Sequence, residues 1–214
     1  MDFLTFKYIT MRQSKEVEVL NGVENNVKFE TPYSVEVEVT GACPLLFHKW
    51  DCEVIESKGK ARKGSAEKKT DNLESFIYRN EEGFICLPGE YIRMAMVYAA
   101  KFKQDPRSPR KSAFDLFKAG VISLTDLAPI NGGVLKWDFL DQRRVVVQRS
   151  GITRMRPAFH KGWTAEFVIC VNTPEYIDFQ FFNEVIQTAG RLIGVGDFRP
   201  TYGRFDVTRC KVLI

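Results

Sequence analysis

The chain has 214 residues, 44% of them apolar and 13% aromatic with 17 Phe, which excludes a disordered protein and allows one large domain, or one domain with insertions. A formal charge of +4 is too mild to argue for a polyanion partner from the total alone, so the distribution of charge has to carry that question. Five cysteines without a C-x-x-C pair, and only two histidines, speak against structural zinc; no metal and no cofactor is expected.

In chain order, residues 1–30 are acidic, and Glu16–Leu20 is an expected edge strand before the Asn21-Gly22 turn. The opening Met1-Asp2-Phe3 lacks the apolar core of a signal peptide, and no apolar run approaches the ~20 residues of a membrane span. A reducing cytoplasm is the expected location. Strict alternation from Tyr33 to Thr40 predicts a strand with one buried face, ended by Pro44. Leu45–Asp51 is apolar and irregular. Residues 57–72 are rich in Lys, Gly, Ser and Ala and are expected to form a flexible basic insertion. Phe84–Leu87 predicts a strand. Pro88 then opens an amphipathic helix over Tyr91–Lys101, whose Met and aromatic stripe is a core face.

Residues 104–112 are expected to be a loop and Ala113–Ala119 a short helix, inside an insertion region spanning 104–160. Strands are expected at Val121–Leu124, Val145–Gln148 and Trp163–Val171, a helix at Asp178–Ile193, and a closing strand at Gly203–Leu213. Without its insertions the order is β-α-β-β-α-β. That is an α+β, ferredoxin-like or RNA-recognition-type sheet with two helices on one face, in a single domain over 1–214.

Two segments are candidates for contact with phosphate. Arg143 to Lys161 carries Arg143, Arg144, Arg149, Arg154, Arg156 and Lys161 without an acid, and 148–162 is expected to be a basic loop. Its arginines suit phosphate, and Phe159 with Trp163 adds rings on which bases could stack, although Trp163 suits a core position better; His160 is a further binding candidate. The alternative is a surface hairpin whose arginines pair with the N-terminal glutamates. The second segment is Gly194-Val195-Gly196-Asp197-Phe198-Arg199-Pro200-Thr201-Tyr202-Gly203-Arg204. Gly194, Gly196 and Gly203 either let backbone N–H groups meet phosphate beside Arg199 and Arg204, or pack the helix against the next strand. The turn follows a helix and lacks a third glycine at the required offset, so a dinucleotide fingerprint is rejected.

Three stretches resemble the RAMP superfamily of CRISPR-associated RNA-binding proteins. The glycine turn with the strand after it is similar to that family's C-terminal glycine-rich loop. Phe84–Met96 is similar to the strand, Pro-Gly and helix entry of its backbone subunits, and Val35–Trp50 to its first strand and following loop. Glu90-Tyr91 stands where small residues are usual, and the chain is short for a backbone subunit. The resemblance therefore implies a diverged relative, of phage or mobile-element type. It implies binding of single-stranded RNA, before DNA, through Arg149, Arg154, Arg156, Phe159, His160, Lys161, Gly194, Gly196, Arg199, Gly203 and Arg204. Self-association along the strand, or association with other CRISPR or phage proteins, is a further expectation, with no membrane role. Two rivals stay open. One is a metal-independent endoribonuclease with His48 as general base, or an RNA cut that Asp51 assists through a metal instead. The other is a non-enzymatic assembly or inhibitor protein that docks on protein partners.

Overall fold

A computed structural model describes residues 29–50, 56, 60, 72–147 and 150–213. The expected strand at 16–20, nearly all of the insertion at 57–72, Asp51 and Arg149 lie outside the described residues.

Strand β1 (Tyr33–Gly41) is the centre of the main sheet. Its alternation does what the pattern demands: Val35, Val37 and Val39 are 0–1% exposed, while the intervening positions stay half-buried. The strands β7 (Val121–Ser123), β11 (Thr164–Val171) and β12 (Phe205–Leu213) complete this antiparallel sheet in the order β12-β1-β11-β7. Register sets Val37 opposite Phe167 and Val35 opposite Ile169, so their side chains share one face. Helices α1 (Gly89–Ala99) and α3 (Phe179–Thr188) cover it, adding Ile92, Ala95 and Met96 and then Phe182, Val185 and Ile186 to the same core. Each large apolar side chain buried there contributes about 1.5–3 kcal/mol of transfer free energy. The architecture is α+β with antiparallel sheets, consistent with a ferredoxin-like class.

Local chemistry fixes the helix ends. Pro88, extended at φ −61°, precedes α1, and Gly89 is required because a Cβ there would lie 1.9 Å from the Thr125 carbonyl oxygen. Asp178 caps α3 by accepting from the Phe181 N–H at 2.7 Å, a cap worth about 1 kcal/mol. The helix expected to run to Ile193 leaves the α register at Thr188 and finishes as a π turn over Ala189–Ile193.

Two expected loops are strands. Residues 104–112 form a hairpin, β5 (Gln104–Asp105) with β6 (Ser108–Ser112), whose largely exposed strand carries no apolar alternation to reveal it. More consequentially, the expected basic loop at 148–162 contains β10 (Ser150–Phe159), paired in antiparallel register with β9 (Phe139–Val147). The short β2 (Leu45–Leu46) joins the other edge of β10. The strands β3 (Tyr78–Arg79), β4 (Ile85–Pro88) and β8 (Leu127–Pro129) form a further small sheet. Short α2 (Phe114–Gly120) buries Leu116 and Phe117.

Candidate nucleic-acid interface

The β9–β10 register decides which cations can act together. Arg143 stands opposite Arg154 and Asp141 opposite Arg156, so all four side chains leave the same face of the hairpin. The glycine turn folds against that face and is pinned to β2 and its neighbours through the backbone. Asp197 N–H donates to the Leu46 carbonyl at 2.8 Å, and Gly203 N–H donates to the Pro44 carbonyl at 2.8 Å. Such close approach explains the glycines. A Cβ at Gly203 (φ +72°) would fall 1.7 Å from the Val195 carbonyl oxygen, and one at Gly196 (φ +77°) would fall 2.7 Å from Leu45 and the Leu46 carbonyl. Of the two roles open to these glycines, packing of the turn is the one these contacts supply.

Side chains complete the seam. Arg156 Nε donates to Asp197 at 2.5 Å, with the arginine side chain 7% exposed and the aspartate 34%. Its Nη1 is buried without a partner among the described residues. Arg143 is held by both carboxylate oxygens of Asp141 and donates to the Tyr202 hydroxyl at 2.7 Å. The Asp141 carboxylate, then Tyr202, hold the Arg143 proton still more firmly than in a free guanidinium. Phe198 lies between these cations, its ring centroid 5.2 Å from Arg143 and 5.5 Å from Arg156, and it meets Tyr202 edge-on at 6.0 Å. Its φ of +59° is strained for an aromatic residue, and the two cations help to hold it there.

The expected site residues therefore divide. Arg156 is spent on Asp197. Phe159 is 1% exposed and packs edge-on against Phe47 in the core, so it offers no face to a base; Trp163 is equally buried. His160 is exposed and stacks on Phe139 at 4.5 Å. Arg154 is half-buried and directs Nη1 to His48 Nε2 at 3.2 Å; an arginine has only donors, so Nε2 accepts. The His48 ring stacks on Phe76 at 4.5 Å. A base at position 48 would thus have its Nε2 lone pair engaged until Arg154 moved away. Lys161, Arg199 and Arg204 are exposed and form no ion pair with a described residue. Arg204 lines a cavity of about 310 Å3 together with Arg191, Gln187, Thr188 and Asp206.

Sequence reasoning passed over Asp141, Asp197, Phe198, Tyr202 and Arg191. The Asp-x-Arg spacing at 141 and 143 was a usable signal, because positions i and i+2 of a strand share a face. Nothing local ties Asp197 to Arg156, which is 41 residues away.

Among the described residues no group of three or more His, Cys, Asp or Glu is placed to hold a metal ion, and no helix is long and apolar enough to cross a membrane. No protein-family model matches the chain, and no curated protein matches it. Among solved structures it is similar to a chain of the cryo-EM structure of the Type III-B Cmr-beta bound to cognate target RNA, at 12% identity and a TM-score of 0.49. The match covers 86% of this chain and 61% of that one.

Proposed function

We propose that this protein binds single-stranded nucleic acid, RNA before DNA, as a diverged RAMP-type protein. In this reading β1, α1, β7, β11, α3 and β12 are the β-α-β-β-α-β frame, and the β9–β10 hairpin is its basic insertion. One observation carries the proposal: two cation-rich segments far apart in sequence meet along one seam, through Arg156–Asp197 and Arg143–Tyr202. The internal carboxylates consume Arg143 and Arg156. Arg154, Lys161, Arg199 and Arg204 are left to contact phosphate around that seam, with assembly of further copies along the strand.

Fluorescence anisotropy of labelled single-stranded RNA and DNA of one sequence tests this. Affinity should fall with salt, and an Arg154→Ala/Arg199→Ala/Arg204→Ala variant should flatten the log–log salt slope by up to about 2, at ~0.7 per lost phosphate contact. Binding that ignores salt between roughly 50 and 200 mM would remove the phosphate reading. Sedimentation that stays monomeric on a long strand would remove assembly along it.

A further inference from the structure

Beside the seam, on the far side of Asp197, lies an open groove of about 590 Å3. Its walls come from three places in the chain: Tyr98, Lys101 and Phe102 at the end of α1, Leu192 at the end of the π turn, and Phe198 with Arg199 in the glycine turn. The volume falls within the roughly 300–1,000 Å3 of ordinary ligand pockets. Three aromatic rings stand open in it, with Tyr98 39%, Phe102 63% and Phe198 41% exposed. Exposed apolar residues gathered in one groove, rather than scattered singly, mark a ligand or partner surface.

Charge selects among partners. Lys101 lies 4.9 Å over the Tyr98 ring and 4.8 Å over Phe114, and Arg199 is exposed on the opposite wall. The acid in the lining, Asp197, is already committed to Arg156. An apolar protein segment seated here would desolvate both cations without pairing them. A polyanion carrying flat rings would satisfy both walls at once.

Building on the nucleic-acid reading above, we infer that this groove holds an unpaired base of a bound single strand, stacked on Phe102, with the flanking phosphates against Lys101 and Arg199. The strand enters past Phe198, which with Asp197 belongs both to the groove and to the arginine seam. The groove thus supplies base stacking, which is sequence-tolerant because every base has a π face, while the seam supplies charge.

The test compares labelled oligoadenylate with an abasic strand of the same length and charge, using the full chain. The wild type should prefer oligoadenylate by at least about fivefold, the lower bound for one base on one ring. Phe102→Ala should erase that preference while leaving the affinity for the abasic strand and the salt slope in place. Phe102→Trp should keep it. Because the Phe102 ring is mostly in solvent, the melting temperature of Phe102→Ala should match the wild type. A wild type indifferent to bases, or a preference that survives Phe102→Ala, overturns the groove and leaves the phosphate reading standing. Failure to bind either strand overturns both. A free protein whose dimer is split by Phe102→Ala makes the groove a protein contact and overturns it as well.

Discussion

Removing the carboxylate of Asp197 should harm this protein more than removing the guanidinium it neutralises. The two ends of the pair live in different surroundings: the Arg156 side chain is 7% exposed and Asp197 34%. Asp197→Ala strands a cation that already has one unpaired nitrogen among the described residues and leaves it against the Phe198 ring, 5.5 Å away. Breaking a buried pair from one side costs about 3–5 kcal/mol; with one partner a third exposed, we expect about 2–3 kcal/mol. Arg156→Met keeps most of the volume, removes the desolvated charge, and leaves behind a carboxylate that water can reach. Its net cost should be about 0–1 kcal/mol.

For a chain of this length each kcal/mol moves the melting temperature by about 2–4 °C. Asp197→Ala should therefore lose about 4–12 °C, Arg156→Met no more than about 4 °C, and Asp197→Asn should fall between, since an amide oxygen can still accept from Nε. The double variant Arg156→Met/Asp197→Ala should recover most of the loss, a coupling that a double-mutant cycle reads directly. Thermal unfolding followed by circular dichroism gives all four values. If Arg156→Met proves as costly as Asp197→Ala, the burial asymmetry is not what governs this seam.

Two further outcomes follow from single contacts. Gly203→Ala should lose about 2–5 kcal/mol, from left-handed strain plus overlap with the Val195 carbonyl 1.7 Å away, whereas Gly162→Ala (φ +97°, with nothing within 4 Å) should lose only about 1–2. Equal losses on thermal melting would contradict the close-packing account of the turn. Asp105 accepts from Arg107 at 2.7 and 2.9 Å, and this pairing lowers its carboxyl to about 2. Since the folded value lies below the unfolded one, its stabilisation is full above the ordinary carboxylate range and fades as the pH falls from about 4 toward 2. The melting-temperature gap between wild type and Asp105→Asn should close across that window, and a gap constant with pH would refute the pairing.

The elements legible in the sequence are those whose surroundings are simple. β1 faces the apolar core on one side, so Val35, Val37 and Val39 announce it, and Pro88, Asp178 and Gly194 mark helix ends by local chemistry alone. β10 escaped because its alternation is not apolar against polar in the usual sense. Met155, Pro157 and Phe159 leave one face and Arg154, Arg156 and Ala158 the other, so cations stand where a core-facing strand would carry valines.

That same alternation explains why a count of arginines could not define the site. Within the strand Arg154 and Arg156 are equivalent, two residues apart on one face. What separates them is what the rest of the chain brings to that face. Asp197 reaches Arg156 across 41 residues and buries it, while Arg154, beyond the turn, meets His48 Nε2 and no carboxylate among the described residues. A buried arginine committed to a carboxylate shapes the surface, and one left beside an imidazole keeps its charge available to a ligand. The distinction arises from how the glycine turn closes on the sheet, and Gly196 and Gly203 are the residues that let it come close enough to make it.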